Sequence, residues 1–86
     1  MLARAALIAP ADPAGWPTAQ VACDLIWLHV TPPDRVEHIR VRSSRRGFDI
    51  VWFMLADDPG TARVRAQMIC HDAITGTPLL MGWQVG

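Results

Sequence analysis

Few residues in this 86-residue chain have both the type and the spacing that chemistry needs. His38 and Arg40 stand two apart in VEHIRVRS, so an extended backbone puts them on one face, where a base and a cation could act together. Trp52 is the alternative residue that could act. His71 and Asp72 are adjacent, and on a helix adjacent side chains point apart, so they form no dyad and read as solvent-facing. Asp57 and Asp58, followed by Pro59, read as a helix cap rather than a metal site. Cys23 and Cys70 lack CxxC spacing and read as reduced, buried thiols. No metal and no cofactor is expected. A Ser-His-Asp arrangement, a phosphate loop and a paired-carboxylate motif are all missing, so the chain leans away from catalysis.

The elements that must position these residues are organised around Gly47 to Ala56, GFDIVWFMLA, which reads as a strand with bulky apolar groups on both faces. Phe48, Ile50, Trp52 and Met54 share one face, and Val51, Phe53 and Leu55 the other. Val36 to Ser43 alternates as a half-buried strand, and Ser44 to Gly47 turns it into the central strand as an antiparallel hairpin. Leu2 to Ala9 is a first strand, with Ala3, Ala5 and Leu7 opposite Arg4, Ala6 and Ile8. Pro10 to Pro17 is a loop. Thr18 to Val30 is read as a helix with Pro17 near its first turn, a stripe of Val21, Leu25 and Leu28, and His29 at the C-terminal dipole. A strand over Val21 to Val30 is the alternative. A second helix starts from Asp58 as N-cap, carries the stripe Ala62, Ala66, Ile69, Cys70 and Ala73, and stops at Gly76. The alternative is a strand in which Ala62, Val64, Ala66 and Met68 alternate with Arg63, Arg65 and Gln67 until Ile69 breaks the pattern. Gly82 to Gly86 is a short last strand, with Trp83 and Val85 on one face.

That order, strand, helix, strand, strand, helix, strand, is the ferredoxin-like βαββαβ arrangement of one α+β domain spanning residues 1–86: a four-stranded antiparallel sheet with both helices on one face. A β-meander with one C-terminal helix is the alternative. The first and third strands are expected at the centre and the second at an edge. The helices are expected to cover Val51, Phe53, Leu55, Ile39, Val41 and Leu7. The open face is expected to carry Arg4, Ile8, His38, Arg40, Arg42, Phe48, Ile50, Trp52 and Met54, an apolar centre with a basic margin.

Composition supports association. The chain is 51% hydrophobic and 19% charged, more apolar than a free domain of its length requires. Eight bases balance eight acids, so no global field draws it to nucleic acid or anionic lipid, and a local patch is left open. Every base is arginine and lysine is absent, as codon usage in a GC-rich genome produces, so the bias has no functional weight. The apolar run before Pro10 is too short for a signal-peptide core or a membrane span, and a cytoplasmic setting is expected. The leading expectation is a non-enzymatic module with an accessory or regulatory role, which forms a homodimer or docks a protein partner through the open face. Nucleic acid and membrane are not the expected partners.

Two other functions stay open. Arg46-Gly47-Phe48-Asp49-Ile50-Val51-Trp52-Phe53 partly resembles the RNP1 signature of RNA-recognition-motif domains, matching at Arg46, Gly47, Phe48, Val51 and Phe53. Asp49 and Ile50 depart from it, at a small-residue position and a stacking position. The resemblance covers eight residues and implies single-stranded RNA binding, with Phe48 and Trp52 stacking on bases. The other is a dimeric α+β enzyme similar to cofactor-independent oxygenases or cyclases, using His38 with Arg40, or Trp52.

Overall fold

The computed structural model describes residues 1–11 and 15–86. The chain runs through strand β1 (Leu2–Ile8), helix α1 (Ala19–Trp27), strands β2 (Val36–Ser43) and β3 (Gly47–Met54), helix α2 (Pro59–Gly76) and a short strand β4 (Gln84–Val85). The four strands form one antiparallel sheet in the order β2-β3-β1-β4. The class is therefore α+β with two helices, and the meander alternative fails because Ala19–Trp27 is helical. The loop expected over 10–17 includes residues 12–14, which lie outside the described residues.

The hairpin register decides which side of β3 meets the helices. Directly opposed residues share a face, and Ile39 pairs with Trp52 and Val41 with Ile50. On the other side of β3, Ala3 pairs with Trp52, Ala5 with Ile50 and Leu7 with Phe48. Phe48, Ile50, Trp52 and Met54 are consequently buried against α1 and α2, each at most 1% exposed, and they form the core rather than the open face. Val51 and Phe53 lie on the uncovered side, and Leu55 is 49% exposed. The central strand thus presents its faces the opposite way from the expectation above. Two physical reasons select this orientation. It buries the bulkier row, and it leaves Asp49, which shares parity with Val51 and Phe53, in water instead of under a helix. A bulge between Val36 and His38 then returns Val36 to the helix side, opposite Met54.

Helix α1 starts where Thr18 Oγ1 accepts a hydrogen bond from the Val21 amide at 3.2 Å, with Pro17 just ahead of the cap. Ala22 and Ile26 are its buried residues, whereas Val21 and Leu28 from the expected stripe are exposed. The run Leu25-Ile26-Trp27-Leu28 is apolar all round, so periodicity alone could not orient it, and packing chose the smaller side. His29 sits at the helix end with Nδ1 3.1 Å from the Leu25 carbonyl.

Helix α2 follows its expected pattern. Ala62, Ala66, Ile69, Cys70 and Ala73 are its buried residues, and its alanines rest on β1, whose inward residues Ala3 and Ala5 are also small. Asp58 caps the helix: its carboxylate accepts from the Thr61 amide at 2.8 Å and from the Thr61 hydroxyl at 2.9 Å. The Thr61 backbone and side-chain bonds hold the Asp58 carboxyl below its usual value. A depressed folded-state value means the cap contributes fully above the unfolded value and is lost as pH falls through the folded one. Asp58→Asn is expected to flatten the acid limb of the stability-pH curve while leaving neutral stability nearly unchanged, and Asp58→Ala to lower both, as read by thermal melts from pH 2.5 to 7.

Candidate functional site: the open sheet face

The uncovered face is built in rows across three strands. One row places Leu2, Phe53 and His38 side by side, the next Arg4, Val51 and Arg40, and the third Ala6, Asp49 and Arg42. Val51 is thus flanked by two guanidinium-bearing strands. Phe53 and His38 pack with ring centroids 5.5 Å apart. A shallow depression of ≈ 530 Å³ runs between Arg4, Arg40, Arg42, Asp49 and Val51. At the hairpin end, Arg45 and Arg46 join Ile8 and Asp49 around a second hollow.

Electrostatically the face is unlike the whole chain. Arg4, Arg40, Arg42, Arg45 and Arg46 border it and its hairpin end, against Asp49 as the acidic side chain lining both hollows, with Gly86 beside it. Asp24, Asp57, Asp58 and Asp72 belong to α1, α2 and the turn before α2, Asp34 to the turn before β2, and Glu37 to the bulge at the start of β2. A net charge of zero therefore conceals a basic face. Among the described residues these five guanidinium groups make no hydrogen bond or ion pair within the chain, in contrast to Arg65, which donates to the Pro33 carbonyl at 2.9 Å. Unengaged arginines around a half-buried apolar centre are available to carboxylates or phosphates from outside.

Of the residues expected here, the structure brings together Arg4, Ile8, His38, Arg40 and Arg42. It does not bring Phe48, Ile50, Trp52 or Met54, which are under the helices. The sequence reading missed Val51, Phe53 and Asp49 as members of this face, although Asp49 marked it: a carboxylate has to be on the wet side of a one-sided sheet. Burial also removes the two side chains assigned to base stacking, Phe48 and Trp52. It likewise separates Trp52 from His38 by the thickness of the sheet, so the two cannot line one pocket.

Elsewhere, His71 and Asp72 are both exposed on α2. Trp16 and Trp83, which the sequence did not group, meet over Phe48: Trp83 stacks on it at 5.3 Å, and Trp16 approaches Trp83 edge-on at 5.5 Å. Cys70 is buried and Cys23 partly so, and both are free thiols. Burial pushes the Cys70 thiol up to about 12, and burial followed by the neighbouring Asp24 charge raises that of Cys23. Thiolate is the reactive form, so Cys70 is expected to resist a disulfide reagent at pH 8 until denaturant is added, with Cys23 reacting more slowly than an exposed thiol.

Among the described residues no group of three or more His, Cys, Asp or Glu could hold a metal ion, and no helix is long and apolar enough to cross a membrane. The protein is thus an α+β sheet-and-helix structure with one basic, partly apolar sheet face. Compared with known proteins, the chain matches no family model, no curated protein and no solved structure.

Proposed function

We propose that this chain is a ferredoxin-like, non-enzymatic interaction module that docks an acidic protein surface through the open face of its sheet. The strand-helix-strand-strand-helix-strand order and the central position of β1 and β3 support the ferredoxin-like assignment. The observation that carries the docking reading is the row Arg4, Val51, Arg40, in which an apolar side chain lies between two arginines that make no hydrogen bond or ion pair among the described residues. Arginine and aromatic residues at a desolvated centre have the composition of a binding hot spot.

The register also bears on what kind of partner fits. The large apolar row suited to a sheet-on-sheet homodimer is consumed by the core. Stacking two copies of the remaining face would bring arginines against arginines with little but Asp49 to oppose them. A partner with carboxylates around an apolar patch meets the face without that penalty.

The test is a photo-crosslinking amino acid at position 53, introduced in the cell of origin. The expected adduct is one acidic protein, lost when Arg40 and Arg42 are both replaced by Glu. An adduct of twice the chain's own mass, or one containing only nucleic acid, counts against the proposal.

A further inference from the structure

Strand β2 is the outer strand of the sheet on the side away from β4. Its inner side is bonded to β3, and the phase is set where the Ser44 amide donates to the Gly47 carbonyl at 2.9 Å across the hairpin turn. Antiparallel alternation then turns the main chain of His38, Arg40 and Arg42 toward β3 and that of Ile39, Val41 and Ser43 outward. The other side of the hairpin agrees: the Ala9 amide donates to the Arg46 carbonyl, so even-numbered residues of β3 serve β1 and odd-numbered ones serve β2. Among the described residues the outward groups of Ile39, Val41 and Ser43 meet one partner, the Cys23 thiol, which lies 3.9 Å from the Ile39 carbonyl. The stretch is about 13 Å long at about 3.3 Å per residue.

The two sides of this edge differ in character. On the open face stand Arg40 and Arg42, both exposed. On the other side α1 packs against β2, with the half-buried Cys23 at the margin and Trp27 beside that thiol. Exposed Asp24 follows Cys23 in the helix. A carboxylate on an added strand is therefore favoured toward the arginines and disfavoured toward Asp24, where an apolar side chain has Cys23 and Trp27 to rest on. Glu37, at the bulge, bounds the basic stretch at its start.

A second copy of β2 does not fit. With Ile39, Val41 and Ser43 outward on both copies, odd residues oppose odd and even oppose even. Every antiparallel register that keeps this stretch paired then sets Arg40 or Arg42 directly against an arginine or His38 of the copy, and like charges in that position repel. The same arginines that keep copies apart suit a strand of opposite charge.

We infer that the Ile39–Ser43 edge of β2 accepts, antiparallel, an extended segment of another protein in which glutamate or aspartate alternates with apolar residues. Main-chain hydrogen bonds to Ile39, Val41 and Ser43 supply the register, Arg40 and Arg42 take the carboxylates, and the apolar side chains lie toward α1. The inference rests on the docking reading above for the partner's charge alone; what it adds is the partner's backbone conformation and its place along the sheet edge.

The probe is a capped Glu-Val-Glu-Val-Glu-Val hexapeptide, added to the intact chain and followed by amide hydrogen exchange. Exchange at Ile39, Val41 and Ser43 is expected to slow at least tenfold at saturation. Arg40→Glu is expected to weaken binding at least tenfold, and Arg40→Lys to keep most of it. With the glutamates opposite Arg40 and Arg42, the valine amides face β2 and the glutamate amides face away. Methylating the valine nitrogens is therefore expected to abolish binding, and methylating the glutamate nitrogens to leave it largely intact. Equal effects of the two methylations, binding without protection of the three amides, or no binding at millimolar peptide overturns strand addition. Concentration-dependent protection of the same amides in the protein alone assigns the edge to a second copy and overturns it too. An acidic protein crosslinked at position 53 while the peptide leaves these amides unprotected keeps the docking reading and removes only the edge.

Discussion

Trp52→Ala is expected to lower the unfolding free energy by about 3–5 kcal/mol, the range for emptying a fully buried large aromatic site. Trp52 is 0% exposed and belongs to the cluster that joins the sheet to both helices. With ordinary domains stable by about 5–15 kcal/mol, the variant sits near the limit of folding. Phe53→Ala, one residue along on the wet face, is expected to cost only about 1 kcal/mol, since that ring is half-buried. Urea unfolding followed by far-UV circular dichroism measures both, and comparable losses would mean that β3 does not present Trp52 to the helices. Trp52→Phe separates ring from donor. The Trp52 Nε1 is buried without a hydrogen-bond partner among the described residues, and an unsatisfied buried donor costs about 1–3 kcal/mol. Removing that donor offsets much of the lost ring volume, so Trp52→Phe is expected to lose less than about 2 kcal/mol by the same reasoning.

Gly47→Ala is the other large effect. Gly47 opens β3 at φ 151°, a backbone conformation that side-chain-bearing residues rarely adopt. A Cβ there would be driven into the Leu7 carbonyl oxygen of the neighbouring strand and come within 2.9 Å of Trp83 Cζ3. The obstruction on one side is main chain, which cannot rotate away. Backbone strain of about 1–3 kcal/mol and overpacking of similar size put the expected loss at about 2–6 kcal/mol. The damage should be local to the stack of Phe48 and Trp83, so near-UV circular dichroism is expected to lose aromatic signal even under conditions where the far-UV spectrum survives. An Ala variant as stable as the parent would mean that β1 and β3 leave room for a side chain at Gly47.

Much of the architecture could be read from local signals because each was redundant. In α2, cap, proline and apolar period together outweighed the strand-like alternation from Ala62 to Met68, which Ile69 breaks, and the buried stripe came out residue for residue. In β2, arginines alternating with Ile39 and Val41 marked the wet side without ambiguity. The faces of β1 were equally legible, with Leu7 dry and Arg4 wet. In α1 only the existence of the helix was legible, since a segment apolar on every side has no preferred rotation until something packs on it.

The open face was half legible for a different reason. Amino-acid order alone determined that β3 carries two apolar rows, that β2 and β1 each carry one basic row, and that these must alternate across a sheet. Which row of β3 joins the basic ones depends on whether residue numbers facing each other across the Ser44–Arg46 turn sum to an odd or an even value, and one residue more or less in that turn reverses every side chain of the strand. Only the folded hairpin, with Arg42 opposite Asp49 and Ile39 opposite Trp52, decided it. Strand pairing is a contact between distant residues, and the alternation within one strand carries no information about the phase of the next.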